Sequence, residues 1–432
     1  MMPEARFPRP PANDRLNVIL LSDYGSINGG QAKIAIESAL SLRRRGLNIC
    51  FIAGCGPLDE RLERAGIECH VVGDHDILSD PNRARAALSG IWNRNAARVV
   101  AECIAARDPA ATVIHMHGWA KALSPSIGPV ITRSAAAHVV TLHEYFLACP
   151  NGGFFDYPAQ AICTRRPLGA ACLTTNCDSR SVAHKSWRVA RHVALRAISR
   201  MPQELREIIY LAPEQIDIVG LYTSDEARWH YLPNPVGVTP ESRIAAEHND
   251  IFLFVGRLSP EKGAPVAAAA ARQAGCKIVF CGDGEERDAI LRANPDAIIT
   301  GWVGEDQVAG WMRRARALLF PSLWYECYPL VVADALRAGL PVLTSANSVA
   351  RSSIKHGVDG LHIPAGDVAA WSAAMVTLGS DALVRRYSEA AFAAGRELLD
   401  EADYISRLIS IYDLVLLRRR GLPLPAKDAV SC

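Results

Sequence analysis

The chain has 432 residues, half of them hydrophobic and 21% charged, with a formal net charge of +2. That length suits two α/β domains better than one core, and the near-neutral charge excludes nucleic acid as the main partner on electrostatic grounds. Nucleic-acid binding is therefore not expected.

The N-terminal stretch MMPEARFPRPPANDRLN has no apolar segment before the short run Val18–Leu21, so no secretory signal is expected. No run reaches the 18 or so apolar residues of a membrane-spanning helix. Twelve cysteines in a chain read this way point to thiols in a reducing compartment, and the expected location is cytoplasmic.

In the first half, short apolar runs at 17–22, 48–53, 67–72, 112–116 and 138–142 read as strands. Helical segments such as Gln31–Arg45 and Asn82–Arg107 separate several of them. In the second half, apolar runs recur at 251–255, 277–281, 297–300, 317–320 and 341–344, with helices expected at Glu261–Arg272, Glu285–Arg292 and Leu330–Ala338. Buried strands alternating with helices predict parallel sheets covered on both faces, here two doubly wound Rossmann-like domains. The prolines of Leu232-Pro233-Asn234-Pro235 mark the connector. This divides the chain into an N-terminal domain at 1–235, with a cysteine-containing insertion at about 149–180, and a C-terminal domain at 236–398. A helix and tail at 399–432 are expected to pack back toward the N-terminal domain. The basic run Leu416–Arg420 could touch an anionic membrane face, although a solvated helix end accounts for it better.

Ligands of open parallel sheets gather beyond the carboxyl ends of the strands. After strand 251–255 comes Gly256-Arg257-Leu258-Ser259-Pro260-Glu261-Lys262-Gly263. Gly256 admits a ligand close to the backbone, and Arg257 and Lys262 supply two cations suited to a diphosphate. Exposed surface charge is the competing explanation. Cys281-Gly282-Asp283-Gly284 either admits a ligand or makes a tight turn.

The segment Phe320–Asp334 carries the strongest signal. Pro329 is expected at the first helical position, with Glu326 in the preceding loop and Asp334 one turn into the helix. Two carboxylates there can accept sugar and ribose hydroxyls, while first-turn amides face the donor. A capping acid and a solvated helix residue are the alternative.

These segments resemble glycosyltransferase family 4 (group 1), whose members have the GT-B fold, two Rossmann-like domains facing across a cleft. The resemblance is strongest from Phe252 to about Pro364. It implies that Gly256, Arg257 and Lys262 hold the diphosphate of a nucleotide sugar, UDP- or GDP-linked, and that Glu326 contacts the transferred hexose. Asp334 would hold the ribose, although the family has Glu there. The backbone of Tyr328, Pro329 and Leu330 is expected close to the donor. In the first half the resemblance places Gly29 and Gly30 at a helix start facing the cleft, and His143 beside the transferred sugar.

The implied function is retaining transfer of a hexosyl group to a saccharide or lipid-linked saccharide acceptor. No cofactor or catalytic metal is required, and peripheral contact with the cytoplasmic membrane face is conceivable. A nucleotide-sugar epimerase and a non-catalytic sugar-nucleotide-binding subunit share the same architecture. Two further features remain. Cys149, Cys163, Cys172 and Cys177 could hold a structural zinc, although isolated thiols fit their wide spacings better. The Asp74-His75-Asp76 tripeptide is expected to be a turn.

Overall fold

The computed structural model describes residues 16–237 and 240–423. The N-terminal arginine-bearing stretch and the end of the basic tail lie outside the described residues. The chain divides into two compact units. Unit 1 comprises Met1–Gly152, Ala183–Pro233 and Ala402–Cys432; unit 2 comprises Gly153–Val182 and Asn234–Glu401.

In unit 1 the strands are β1 (Asn17–Tyr24), β2 (Asn48–Cys55), β3 (Glu68–Gly73), β4 (Thr112–Met116), β5 (Ala137–Thr141), β6 (Glu207–Tyr210) and β7 (Arg228–Tyr231). They form one seven-stranded sheet in the order β3-β2-β1-β4-β5-β6-β7, and every pair is parallel. Val18–Leu21 and Cys50–Ala53 are buried without interruption, as a sheet covered on both faces requires. Strands β6 and β7 were not anticipated. They are four residues each, and their charged and polar residues interrupt the apolar pattern.

The segment 82–107, expected as one helix, is two: Arg83–Ile91 and Arg94–Ala105. Asn93 breaks it. Its side chain accepts from the Ala96 amide and donates to the Ala122 carbonyl at 2.9 Å, an N-cap that starts a new helix.

Helix Glu401–Arg419 completes unit 1. Its Tyr412 hydroxyl lies 2.7 Å from Nδ1 of His115, and both side chains are fully buried. The arginines considered for a membrane are engaged within the unit. Arg418 pairs with buried Glu207 at 2.9 Å, Arg419 donates to the Ala135 carbonyl at 3.1 Å, and Arg420 donates to the Ala110 carbonyl at 2.7 Å.

Apart from a short antiparallel pair, Phe155–Asp156 with Ala161–Ile162, unit 2 has one main sheet, made of β8 (Ile251–Val255), β9 (Lys277–Cys281), β10 (Ile298–Gly301), β11 (Ala315–Phe320), β12 (Val342–Ser345) and β13 (Gly360–Ile363). Their order is β10-β9-β8-β11-β12-β13, again all parallel. The core packs Phe252, Phe254 and Phe280 with Leu318, Leu336 and Trp371. The helix expected from Glu261 starts at Ala264, because Pro260–Lys262 forms a 3-10 turn and Gly263 takes a left-handed conformation (φ 65°).

The segment expected as an insertion of the N-terminal domain is split, with Gly153–Val182 grouping in unit 2. The Trp324 ring covers Gly153 so closely that a Cβ there would meet it at 3.2 Å. Cys163, Cys172 and Cys177 therefore belong to unit 2 and Cys149 to unit 1.

The Tyr412–His115 bond should be measurable. Tyr412→Phe leaves a buried imidazole nitrogen without its partner and should lower unfolding free energy by roughly 1–3 kcal/mol in urea titrations. A variant as stable as the parent would show that the bond contributes nothing.

Candidate functional site

In unit 2, β8 and β11 are adjacent and parallel, so the loops leaving their carboxyl ends emerge side by side. The two loops are stitched together: the Leu323 amide donates to the Glu261 carbonyl at 2.8 Å. At Gly263 an added Cβ would lie 2.2 Å from the Pro321 carbonyl oxygen. Only glycine combines this approach with φ 65°.

The result is a buried ion pair. Lys262 Nζ lies 2.7 and 2.9 Å from the two carboxylate oxygens of Glu326, and the Ser322 hydroxyl donates to the same carboxylate at 2.7 Å. Glu326 is 7% exposed at its side chain and Lys262 21%. The ammonium also sits 5.6 Å from the Trp324 ring centre and 6.0 Å from that of Phe320, within cation–π range. Glu326 has φ 62°, a backbone conformation that L-residues with side chains rarely adopt. Such strain persists where the surroundings hold it, often at functional positions.

Arg257 is 67% exposed and is held by its own loop. Its guanidinium donates to buried Glu261 at 2.8 Å and to the Ser259 hydroxyl at 3.2 Å. Glu261, Ser259 and Ser322 were not singled out in the sequence. The four-residue spacings Arg257–Glu261 and Ser322–Glu326 were visible, but nothing marked them as contacts.

Gly256 has φ 151°, with Phe254 ring carbons 3.8 Å from where its Cβ would be. Gly282 and Gly284 are explained by packing: a Cβ on either would fall 1.9 Å from the Gly256 carbonyl or 2.3 Å from that of Leu258. Their positions are filled by the neighbouring loop, which decides for the turn. Pro329 is the N-cap of helix Leu330–Ala338, one residue earlier than expected, and gives no side-chain cap. The amides of Leu330 and Val331 lie in the first turn, where no preceding helical carbonyl is available. Tyr328 and Leu330 are half-buried, and Asp334 is exposed one turn along.

Unit 1 has its own cluster beyond the carboxyl ends of β1, β4 and β5. Gly29 and Gly30 are exposed at the start of helix Gly30–Arg44, with nothing within 4 Å of a Cβ on Gly29. Gln31 of that helix donates to the His117 carbonyl at 2.6 Å, and Nδ1 of His117 lies 3.0 Å from Nε2 of His143. His117 stacks on His143 and also meets the His115 ring at 4.0 Å. Asp23 anchors the neighbouring turn by accepting from the amides of Lys121, Ala122 and Leu123 at 2.7–3.2 Å. Asp76 of the Asp-x-Asp tripeptide accepts from Tyr24 Oη and from the Leu78 and Ser79 amides. It builds a turn.

Burial pushes His143 down to about 3, and burial with the neighbouring His143 does the same to His115. Both are neutral near pH 7. Burial raises Glu144 to about 7 against the pull of Lys121 and Arg191. The signs are opposite. The neutral histidines contribute stability present above about pH 6.5 and lost as pH falls toward 3. The protonated Glu144 contributes stability present below about pH 4.5 and lost as pH rises through 7.

Residues 249–381 match the family model "Glycosyl transferases group 1". Over 93% of this chain and 94% of its own length, the 2-deoxystreptamine N-acetyl-D-glucosaminyltransferase of Streptomyces fradiae is 25% identical. The glycogen synthase of Mycobacterium tuberculosis (strain H37Rv) is 26% identical over 67% of this chain and 71% of its own. Among solved structures, Anabaena HepE in complex with UDP and glucose superposes with a TM-score of 0.65 at 15% identity, covering 92% of this chain and 100% of that one. Sucrose-phosphate synthase from Thermosynechococcus elongatus gives 0.68 at 15% identity, covering 94% and 100%.

Two predictions follow from the two clusters. Lys262→Met leaves a buried carboxylate without its cation and should destabilise unit 2 by on the order of 3 kcal/mol, with Lys262→Met/Glu326→Leu recovering part of the loss; a double variant no more stable than the single one would contradict this. Glu144→Gln should gain about 2 kcal/mol on the parent between pH 5 and pH 8 in urea unfolding, since it removes the ionisation that burial opposes. An equal difference at both pH values would sink the assignment. The chain has the fold of GT-B glycosyltransferases, and its residues 249–381, which include the paired loops of unit 2, match the model of the group 1 glycosyl transferases.

Proposed function

We propose that the protein transfers a hexosyl group from a nucleoside-diphosphate sugar to a saccharide or lipid-linked saccharide acceptor, with retention and without a catalytic metal. The observation that carries this reading is the Lys262–Glu326–Ser322 cluster beside the start of helix Leu330–Ala338. A cation, a carboxylate and first-turn amides at the carboxyl edge of a parallel sheet suit a pyrophosphate bearing a sugar. The Anabaena neighbour binds UDP and glucose in one structure and UDP-glucose in another, which favours a nucleotide sugar as co-substrate.

In this proposal Lys262 and Arg257 bear on the diphosphate, the N–H groups of Tyr328 and Leu330 add partial positive charge, and Pro329 brings the backbone between them close to the donor. Negative charge grows on the leaving diphosphate as the glycosidic bond breaks, so these groups stabilise the transition state more than the ground state. The donor displaces the Lys262 ammonium from Glu326, freeing a carboxylate to accept sugar hydroxyls. Asp334 is proposed for the ribose, and Gly256 for close backbone approach. The acceptor hydroxyl attacks from the face that the diphosphate leaves and passes its proton to an oxygen of the departing diphosphate, with no enzymic nucleophile.

His143 is proposed as a neutral hydrogen-bonding residue needed for transfer, with Gly29 and Gly30 leaving room for a ligand at the helix start. The arginines of the terminal helix are engaged within unit 1, so no membrane contact is needed in this reading.

The test is incubation of purified protein with labelled UDP- and GDP-sugars and an acceptor extract, with and without a chelator. Label should move to acceptor and persist under chelation. Glu326→Gln and Lys262→Ala should each lower the rate at least roughly a hundredfold, the scale of losing a key electrostatic contact. Tight donor binding without turnover would instead indicate a binding subunit, and interconversion of free donors an epimerase. Near-parental rates in folded variants would refute the site.

A further inference from the structure

Strand β3 opens with Glu68-Cys69-His70, so Glu68 and His70 point to the same face of the unit 1 sheet and Cys69 to the other. The parallel register sets Cys50 of β2 beside Glu68 and Ile52 beside His70. Helix Arg94–Ala105 supplies Cys103. One ligand atom from each of Cys50, Glu68, His70 and Cys103 lies within 4.8 Å of all the others. His70 Nε2 is 2.8 Å from Glu68 Oε1, and the Cys50 sulfur is 3.8 Å from the same oxygen. In a tetrahedral zinc site with bonds of about 2.0–2.3 Å, neighbouring donors stand about 3.3–3.8 Å apart. Small side-chain rotations bring this set to that spacing.

We propose that Cys50, Glu68, His70 and Cys103 form a zinc site that fastens helix Arg94–Ala105 to the β2–β3 edge of unit 1. The donor types suit zinc: two soft sulfurs, an imidazole and one carboxylate. Both thiols are buried, whereas the side chains of His70 and Glu68 are 39% and 51% exposed, which gives an ion a way in from solvent. Two thiolates, a carboxylate and a dication sum to one negative charge. Arg107 balances it, because its guanidinium pairs with the second oxygen of Glu68 and donates to the Cys103 carbonyl at 2.7 Å.

Arg107 thus fixes a ligand from behind, as outer partners at metal sites do. Cys50 and Glu68 lie near the amino ends of their strands, and the histidine cluster of unit 1 lies beyond the carboxyl ends. The ion would brace the fold and take no part in the reaction. Binding would release the two thiol protons to solvent, with no change of oxidation state.

Tag-free, full-length protein, reduced and stripped with a chelator, should be titrated with zinc and separately with cobalt. One equivalent should bind here, with thiolate-to-cobalt charge-transfer absorption and a higher unfolding temperature. Cys103→Ser should weaken binding at least ~100-fold and Arg107→Ala ~10-fold. His70→Ala replaces a partly exposed side chain and keeps the core, so it should fold, lose the metal-dependent rise in unfolding temperature and leave transfer activity unchanged. Cys163→Ser, in unit 2, should keep the cobalt spectrum and so separate this site from the cysteines of segment 149–180. Unaltered zinc affinity in both His70→Ala and Cys103→Ser would overturn the proposal. So would a native Cys50–Cys103 disulfide found by peptide mapping of unreduced protein.

Discussion

Lys262 and Glu326 are 64 residues apart and meet because β8 and β11 are neighbours running the same way. Their ion pair is nearly out of water, so removing either partner is costlier than at the surface. Much of the local geometry serves to hold it. Gly263 lets the β8 loop approach Pro321, the Leu323 amide locks to Glu261, Ser322 steadies one carboxylate oxygen, and Glu326 takes an uncommon backbone conformation. Glu261 links this arrangement to Arg257, so both cations of the loop are positioned by carboxylates before any ligand arrives. A pair of this kind resists being opened by water and yields to a ligand that supplies replacement charge for both partners.

Unit 1 manages polarity differently. Its cluster beyond β1, β4 and β5 is built from neutral imidazoles and from carboxyl groups, Glu144 and Asp23, of raised proton affinity. At Asp23 three backbone amides converge on the carboxylate and oppose the shift that burial imposes. The end of β1 is thus tied to the loop after β4 by one side chain.

The strands that bury both faces were legible as apolar runs, because a covered parallel sheet leaves few polar positions; Val18–Leu21 and Leu318–Phe320 needed no tertiary information. Strands β6 and β7 were not, since Glu207-Ile-Ile-Tyr and Arg228-Trp-His-Tyr carry side chains that pair only once the sheet exists: Glu207 holds His230 at 2.7 Å. The break at Asn93 looked like one more polar residue on a helix, and only its acceptance of the Ala96 amide, steadied by its bond to the Ala122 carbonyl, makes it a cap. At the candidate site, Arg257, Lys262 and Glu326 were readable from position after a strand and from family resemblance. Their partners were not, because Ser322 and Glu261 are ordinary residues whose importance comes from which atoms they face. The glycines at 282 and 284 show the converse: a ligand-like pattern explained by one loop resting on another.

The course of the backbone has a consequence for biosynthesis. Unit 1 is discontinuous: residues 234–401 of unit 2 intervene before the helix that supplies Tyr412. On the ribosome, the sheet of unit 1 is synthesised early, yet His115 waits for its partner until the last helix has left the exit tunnel. The Tyr412–His115 contact closes a separation of 297 residues, so the buried imidazole gains this partner only after the six strands from Ile251 to Ile363 have been synthesised.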